Sequence, residues 1–310
     1  MGFLAVDIGA TNIRVASGDH SGLRSKLSEG TDRENGPLGV FAQIVRMAHE
    51  LGMDSVESVG VGSIGPIDIS SGSIVDTPNF PFKEIPVTEP LREELHAPVS
   101  LLNDCAAAVL GEGHFGAGKG LENLVYVTLS TGLGGGAIVD GHLLIGKDGN
   151  AVEVGHITID PGSPLICGCG SPGHWEAHSS GSNIPKFVRH SLRDDDEGSR
   201  IYEFAGGDLE ALNAEILFNA AKAGDATALR IVEDMGKVNA VGFANVVNAY
   251  DPELITIGGS IALNNPKLIL EPILENIDGH LLNRRPRIMI TPLGEDVVLY
   301  GALSRAISLI

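Results

Sequence analysis

A short stretch rich in possible metal ligands lies near the middle of the sequence. Residues 167–181 read CGCGSPGHWEAHSSG, and they hold two of the chain's three cysteines, Cys167 and Cys169, with His174 and His178 close behind. Thiolate sulfur and imidazole nitrogen are common zinc ligands in proteins. The same residue types would also suit a redox pair or a nucleic-acid-binding zinc knuckle, and the grouping could equally be an accident of composition.

The composition limits these alternatives. The 310 residues carry 40 acidic and 21 basic side chains, and the resulting formal charge of −19 repels phosphate backbones and anionic lipid surfaces. We therefore expect no nucleic-acid partner, and too few Lys and Arg flank the cysteines for a zinc knuckle. No run of about 18 apolar residues predicts a membrane span, and the N-terminal residues lack the pattern of a signal peptide. A cytoplasmic protein without a membrane partner is predicted.

Few cysteines in so long a chain predict no disulfide framework. In a reducing compartment, thiols at this spacing with histidines nearby favour a metal over a redox pair. Cys105 lies in an apolar run and is expected to be a buried small side chain.

A carboxylate falls where a strand is predicted to run into a helix. PVSLLND is typical of a strand and CAAAVLGEGH of a helix, so Asp104 lies at the junction. One interpretation is that Asp104 caps the helix. Another is that it acts as a base, because substrates tend to bind at the ends of strands in α/β folds. The residues alone leave both interpretations open.

Three loops of small residues indicate where phosphates could bind. Loops without bulky side chains let backbone N–H groups approach phosphate oxygens, and hydroxyls add donors. The first two loops open similar strand–turn–strand stretches, which predicts a duplicated architecture with a nucleotide between two lobes. The first glycine loop contains Asp7, Gly9, Thr11 and Asn12; the second, residues 130–135, contains Thr131, Gly132, Gly134 and Gly135; the third contains Gly258, Gly259 and Ser260.

Two other glycine patterns are set aside. GVGSIG, residues 60–65, has the spacing of a dinucleotide fingerprint, but Pro66 and Asp68 follow where a helix would have to begin. GHFGAGKG has Gly120 where a phosphate loop needs Ser or Thr, and no strand precedes it. A hinge or linker is expected there.

Taken together, the motifs resemble those of the ROK sugar kinases, a family of the actin-like ATPase superfamily. The matching pieces are DIGATNIR, GVGSIGPID, TPNFP, NDCAAAVLGE, TLSTGLGGG, EVGHITIDPGSPLICGCGSPGHWEAHSSG and DPELITIGGSIA, in the order and with the spacing of the family. The resemblance implies a two-lobed α/β fold, a duplicated ribonuclease H-like fold with an interlobe cleft. The expected lobes are residues 1–118 with about 296–310, and residues 119–295 with the zinc site.

The resemblance also implies an activity, the ATP-dependent phosphorylation of a hexose, most of all glucose, to its 6-phosphate. Asp104 would be the general base. Asp7 would position Mg²⁺. By position, the residues that bind the hexose would be Gly65, Asn79, Asn103, Asp104, Glu153, His156 and Glu176. Those that bind ATP would be Asp7, Gly9, Thr11, Asn12, Thr131, Gly132, Gly258 and Gly259.

The family's zinc site takes a histidine, a Cys-x-Cys pair and usually a third cysteine. Here the corresponding residues are His156, Cys167, Cys169 and His174, so a histidine stands at the position of the third cysteine. Four protein ligands leave no position for water, which implies a structural zinc ion. His178 would then be a bystander.

Several alternatives stay open at this point. Kinases of N-acetylmannosamine, N-acetylglucosamine or fructose share most of these residues, and the sequence does not exclude a phosphoryl donor other than ATP. The family also contains sugar-responsive transcriptional regulators, which carry a DNA-binding segment ahead of the lobes. Because this chain enters its first predicted strand near residue 3 and is acidic, the kinase is preferred. A homodimer or homotetramer is a further expectation from the family.

Overall fold

The computed structural model describes residues 2–78 and 80–310, and strands and helices alternate along them. The strands are β1 (Phe3–Ile8), β2 (Asn12–Asp19), β3 (Gly22–Gly30), β4 (Val59–Ser63), β5 (Ile67–Asp68), β6 (Ser73–Val75), β7 (Glu84–Pro86), β8 (Val99–Asn103), β9 (Leu124–Leu129), β10 (Leu133–Val139), β11 (His142–Leu143), β12 (Leu254–Gly258) and β13 (Arg287–Ile290). The helices are α1 (Gly39–Glu50), α2 (Thr88–Leu95), α3 (Asp104–His114), α4 (Glu176–Ser179), α5 (Ile184–Ser191), α6 (Arg200–Phe204), α7 (Ala214–Lys222), α8 (Ala226–Tyr250), α9 (Ser260–Asn264), α10 (Pro266–Asn276) and α11 (Val297–Ile307).

Two five-stranded sheets share one strand order. The first sheet runs β3-β2-β1-β4-β8 and the second runs β11-β10-β9-β12-β13. The first strand in sequence, β1 or β9, is central in its sheet. The two strands that follow it in the chain lie on one side, and two later strands lie on the other. The repeated order is the duplication that the two glycine-turn hairpins predict. A small third sheet has the order β5-β6-β7.

The chain divides into two compact units. The first comprises Met1–Tyr126, Gly136–Val152 and Thr291–Ile310, and the second comprises Val127–Gly135 and Glu153–Ile290. The lobe boundaries expected from the sequence stay predictions.

In the first unit, both faces of the first sheet are covered by helices. Alternate residues of a strand point to opposite faces. Leu4, Val6 and Ile8 of β1 accordingly share a buried cluster with apolar residues of α1 and α2, whereas Phe3 and Ala5 share another with α11. With water excluded from both faces, β1 is buried along its whole length.

Helices α3 and α11 touch backbone to backbone. A Cβ atom at Gly301 would lie 1.7 Å from the Ala107 carbonyl oxygen, and one at Gly111 would lie 2.7 Å from the Val297 carbonyl oxygen. Only glycine leaves room for so close an approach. This contact fixes the start of α11 beside the first unit's sheet.

In the second unit, the long helix α8 supports the stretch that holds the cysteines. Trp175 is fully buried, and its ring meets the Phe243 ring of α8 edge to face at 5.0 Å. No helix among the described residues is long and apolar enough to cross a bilayer.

Both glycine patterns that were set aside lack the structure that a nucleotide loop needs. After β4 the chain continues through a cis Gly65–Pro66 peptide into β5, so no helix begins there. Helix α3, rather than a strand, precedes GHFGAGKG. Cys105 is buried, as expected.

Candidate active site

The first group of predicted site residues lies at one edge of the first sheet. Strands β1, β4 and β8 are parallel, and their register pairs Ile8 with Ser63 and Ser63 with Asn103. The carboxyl ends of three neighbouring strands therefore meet at this edge, which is where α/β folds bind their ligands. We call it the catalytic edge.

Asp104 is the first residue of α3 at the catalytic edge. Asn103 occupies the N-cap position, and its side-chain oxygen accepts a hydrogen bond from the Cys105 N–H at 2.9 Å. The proposed capping role therefore belongs to Asn103, one residue before the predicted position. The Asp104 Oδ1 accepts from the same N–H at 2.7 Å. An anionic group at a helix N-terminus is stabilised by the helix dipole.

Gly65 lies beside Asn103. A Cβ atom at Gly65 would be 3.2 Å from the Asn103 Nδ2 atom and 3.5 Å from the Asn150 Oδ1 atom. Asn150 in turn accepts from the Ile67 N–H and donates to the Ile67 carbonyl, which fixes the chain just after the cis peptide. The structure thus brings Gly65 and Asn103 together. Asn79, the remaining predicted hexose ligand of this unit, lies outside the described residues.

The first glycine loop is closed by its own backbone. The Gly9 N–H donates to the Asn12 carbonyl at 2.9 Å, and the Thr31 N–H donates to the Thr11 carbonyl at 2.9 Å. The Thr31 hydroxyl adds a bond to the Gly9 carbonyl at 2.8 Å. Thr31, the residue after β3, therefore fixes the loop at both Gly9 and Thr11.

Asp7 at the base of this loop pairs with Arg14, which the sequence analysis did not single out. The Arg14 Nε donates to the Asp7 Oδ2 at 2.8 Å, and a second guanidinium nitrogen bonds to the same oxygen. A third donates to the Glu295 carbonyl at 2.5 Å, next to Asp296 at the start of α11. Burial raises the pKa of Asp7, and the Arg14 guanidinium opposes that rise.

The second group of predicted site residues lies in the second unit, around Glu153, His156 and Glu176. Glu153 immediately precedes a short 3-10 helix, Val154–His156, and its carbonyl accepts the His156 N–H at 3.1 Å. Desolvation raises the pKa of Glu153, His156 opposes the rise and Glu176 adds to it. The Glu153 side chain nonetheless remains accessible to water.

Glu176 is the first residue of α4, and its carboxylate meets two different neighbours. Its Oε1 atom accepts from the Cys167 thiol at 3.3 Å. Its Oε2 atom accepts from the Leu133 N–H of the second glycine loop at 3.0 Å. Glu176 is predicted from the sequence to bind the hexose, but its contact with the second glycine loop is not predicted. Leu133 is distant in sequence and contributes only its backbone N–H to that contact.

The four predicted zinc ligands form one cluster. The donor atoms of His156, Cys167, Cys169 and His174 all lie within 4.8 Å of one another. The Cys167 Sγ is 3.7 Å from the His156 Nδ1, and the Cys169 Sγ is 3.3 Å from the His174 Nδ1. Sulfur and nitrogen ligands of a tetrahedral zinc ion would be separated by about 3.6 Å. The donor set and its spacing therefore suit zinc.

A tight turn brings the two cysteines of this cluster together. The Cys167 N–H donates to the Ser171 carbonyl at 2.9 Å, and the Gly170 N–H donates to the Cys167 carbonyl at 2.9 Å. Gly170 has a φ of 92°, which favours glycine. Burial raises the pKa of the Cys167 thiol to about 12, whereas the Ser171 backbone N–H lowers that of Cys169.

His178 lies outside the four-residue cluster and has structural partners. Its Nδ1 lies 2.9 Å from the His174 carbonyl, and its Nε2 lies 3.0 Å from the Ser163 hydroxyl. Because a carbonyl only accepts, the Nδ1 donates and the Nε2 accepts. We call residues 157–175, which carry three of the four clustered ligands, the metal loop, and this buried imidazole joins two parts of it.

The third glycine loop packs against the strand that leads into the second loop. Gly259 has a φ of 86°, and a Cβ atom there would lie 2.4 Å from the Leu129 carbonyl. The hydroxyls of Ser130 and Ser260 are 3.2 Å apart. The third loop therefore lies against the end of β9 and the first residue of the second loop, so two of the loops predicted to bind the nucleotide are neighbours in this unit.

The repeated sheets, with small-residue loops after matching strands, define an actin-like ATPase fold. Within that class the chain belongs to the ROK family, because the model of the ROK family matches residues 3–304. The predicted family and fold are confirmed.

Several of the proteins similar to this chain are glucokinases or hexokinases. A glucokinase of Pyrobaculum calidifontis is 39% identical over 307 residues, which cover 98% of this chain and 94% of that protein. A crystal structure of a ROK family glucokinase from Streptomyces griseus, in complex with glucose and AMPPNP, has a TM-score of 0.82 and 28% identity and covers 99% of this chain and 100% of that one. The ROK hexokinase of Thermus thermophilus has a TM-score of 0.83 and 33% identity, with 100% and 99% covered.

Proposed function

We propose that this protein transfers the γ-phosphoryl group of ATP to the 6-hydroxyl of glucose. The observation that carries the proposal is the position of Asp104, a carboxylate at the start of α3 on the catalytic edge and directly after Asn103. The similarity to glucokinases over nearly the whole chain supports glucose as the substrate.

In the reaction, Asp104 accepts the proton of the sugar hydroxyl while the hydroxyl oxygen attacks the γ-phosphorus. The bond between the γ-phosphorus and the bridging oxygen then breaks, and ADP leaves. Phosphoryl transfer depends mainly on alignment and on charge stabilisation, so one well-placed carboxylate suffices as the base. Asn103 can donate to a neighbouring hydroxyl through Nδ2 while its oxygen caps α3.

Glu153, His156 and Glu176 bind the other sugar hydroxyls in this proposal. A sugar offers both donors and acceptors, so two carboxylates and an imidazole suit it. Glu153 is exposed to water, as a ligand-binding carboxylate must be before the sugar arrives.

The glycine loops hold the nucleotide, and Asp7 fits a role with Mg²⁺. Both bonds from Arg14 end on the Asp7 Oδ2, so Oδ1 is the oxygen that would bind a water of the Mg²⁺ shell. When bound, Mg²⁺ offsets the negative charge of the phosphates.

His156, Cys167, Cys169 and His174 would hold a structural Zn²⁺ ion. Their donor atoms are close enough for tetrahedral ligation, and the replacement of the family's third cysteine by His174 keeps a good zinc ligand at that position. When bound, zinc would tie the metal loop to the 3-10 helix that ends at His156. A homodimer or homotetramer stays a prediction.

A coupled assay of ADP release over a panel of hexoses tests the function. The panel contains glucose, mannose, fructose and the N-acetylated hexosamines, with 6-deoxyglucose as the matched control that lacks the reacting hydroxyl. We expect glucose to have the highest kcat/KM and 6-deoxyglucose to inhibit without being phosphorylated. Asp104→Asn should lower kcat by about 10²- to 10⁴-fold.

Other results would contradict the proposal in different ways. An N-acetylated sugar as the best substrate would replace glucose but retain the kinase. The absence of any sugar-dependent turnover, or full turnover by Asp104→Asn, would refute the kinase mechanism itself.

A further inference from the structure

The segment after the metal loop contacts the second glycine loop at three places. We call residues 176–182 the bracing segment. The Glu176 Oε2 accepts the Leu133 N–H at 3.0 Å. The chain then returns along the loop: the Gly181 N–H donates to the Ser130 carbonyl at 2.7 Å. At its end, the N–H and the hydroxyl of Ser182 both donate to the Thr131 carbonyl, at 3.1 and 2.8 Å.

The start of the bracing segment is itself rigidly anchored. Trp175, the residue before it, is fully buried and donates its indole N–H to the Asn239 side chain of α8 at 2.8 Å. Asn239 is also buried. A Cβ atom at Gly242 would overlap the indole ring at 2.3 Å, so the ring lies flat on the helix backbone. Glu176 therefore follows a residue that is anchored to α8, and its carboxylate reaches the second glycine loop from there.

The two carboxylate oxygens of Glu176 contact different parts of the protein. Oε1 lies by the metal loop, at Cys167, while Oε2 lies by the second glycine loop, where a Cβ atom at Gly132 would be only 3.2 Å away. A carboxylate so near a loop that receives phosphates is electrostatically unfavourable for an anionic ligand, since like charges repel. Its bond to the Leu133 N–H points to a structural task that offsets this repulsion.

We propose that Glu176 is a positioning residue for the second glycine loop, in addition to its role as a hexose ligand. By accepting the Leu133 N–H, it fixes the backbone of the loop that receives the phosphates of ATP. It therefore contributes to nucleotide affinity even when no hexose is present. The inference rests on the proposed function in one respect, that residues 130–135 bind the nucleotide.

The test is to measure the affinity for Mg·ADP by isothermal titration calorimetry in solutions that contain no sugar. The proteins are the wild type, Glu176→Ala, Glu176→Gln and Glu153→Ala, all purified without chelator. Glu153 is the matched control, because it is the other proposed hexose-binding carboxylate, whereas the Leu133 N–H bonds to Glu176.

We expect Glu176→Ala to weaken Mg·ADP binding by about tenfold or more, because the loop loses a charge-assisted hydrogen bond. Glu176→Gln keeps an acceptor oxygen and should regain most of the affinity for Mg·ADP, although its affinity for glucose falls. Glu153→Ala should bind Mg·ADP within about twofold of the wild type while it loses glucose. If Glu176→Ala binds Mg·ADP as the wild type does, Glu176 is a hexose ligand only and the inference is wrong.

Amide hydrogen exchange keeps the inference testable should Glu176→Ala fail to fold. In the sugar-free wild type the Leu133 amide should exchange slowly, and Glu176→Gln should retain part of that protection. Fast exchange in the wild type would overturn the inference. Because no sugar enters either measurement, a wrong assignment of the hexose would leave both results unchanged and would appear only in the hexose panel.

Discussion

The glycine loop of the first hairpin is held by its own neighbourhood, whereas that of the second hairpin is held from a distant part of the chain. In the first, bonds run within the loop and to Thr31, the residue after β3, and an ion pair between the buried Asp7 and the partly buried Arg14 lies beside it. In the second, the partner of the Leu133 N–H is Glu176, 43 residues further on. The same strand order thus supports two different ways of fixing a glycine loop.

The conformations of the two glycine loops therefore depend on different contacts. The first loop depends on the salt bridge between Asp7 and Arg14. Because Asp7 is buried, loss of Arg14 would leave its charge unpaired and destabilise the fold. The second depends on the segment that carries the proposed zinc and hexose ligands. Disturbing the metal loop should therefore affect the second glycine loop and leave the first unchanged.

The largest effect is expected from Arg14→Met. This change leaves the buried Asp7 carboxylate without its cation, which typically costs about 3–5 kcal/mol of folding free energy. Urea unfolding would measure the loss. The double variant with Asp7→Asn removes both charges and should recover much of it; an Arg14→Met protein as stable as the wild type would show that the first loop does not depend on the pair.

The next largest effect is expected from His174→Ala, which removes one of the four proposed zinc ligands. Loss of a residue that only hydrogen-bonds to a metal ligand typically lowers metal affinity by roughly 10- to 100-fold. Because His174 is itself a proposed ligand, zinc affinity should fall by more than that. His174→Cys should retain about one zinc ion per chain by metal analysis. A stable, active wild-type enzyme that contains no zinc would refute the metal site.

A smaller contrast is expected between Gly9→Ala and Gly132→Ala. At Gly9 the added Cβ would lie 2.8 Å from the Asn12 carbonyl oxygen, a backbone atom that has no room to shift. At Gly132 it would lie 3.2 Å from the Glu176 Oε2, and a shift of that oxygen by a few tenths of an ångström, which leaves its bond to the Leu133 N–H in place, would relieve the contact. Titration with Mg·ADP should show about a tenfold loss for Gly9→Ala and less than about threefold for Gly132→Ala. Equal losses would mean that the two loops are equally rigid.

The smallest effect is expected from the pH dependence of glucose binding, measured by calorimetry without nucleotide. Because the pKa of Glu153 is raised above its ordinary value of 4.5, the carboxylate gains its proton at a higher pH than an ordinary glutamate does. Glucose affinity should thus fall as the pH is lowered from neutrality toward that raised pKa. The fall should reach about fivefold, as a charge-assisted hydrogen bond becomes a neutral one. Glu153→Gln should flatten the profile, and an unchanged slope in that variant would assign the titration to another group.

The elements and the clusters of ligand types could be predicted from the sequence because their signals are local. The β1–β2 hairpin, the helix that begins at Asp104 and the Cys-x-Cys turn each follow from residues that are neighbours along the chain. The grouping of His156 with Cys167 came from the resemblance to the family, and the structure brings the two side chains together.

Contacts between distant residues that involve backbone atoms could not be predicted. The Leu133 N–H has no sequence signature, so its bond to Glu176 was missed. The pairing of Arg14 with Asp7 was missed because an arginine on a strand is most simply a solvent-exposed residue, whereas here it turns toward a buried carboxylate. The helix cap was placed one residue too late, because both Asn103 and Asp104 have side chains suited to capping.

The buried indole of Trp175 gives this protein an optical reporter that needs no label. The chain contains a single tryptophan, and it lies between His174 of the proposed metal site and Glu176 of the bracing segment. Its ring is shielded from water and bonded to Asn239, so its emission should be blue-shifted and should change when that contact loosens. The tryptophan fluorescence of the protein thus originates at the junction of the metal loop and the bracing segment, and it would follow metal removal or ligand binding in real time.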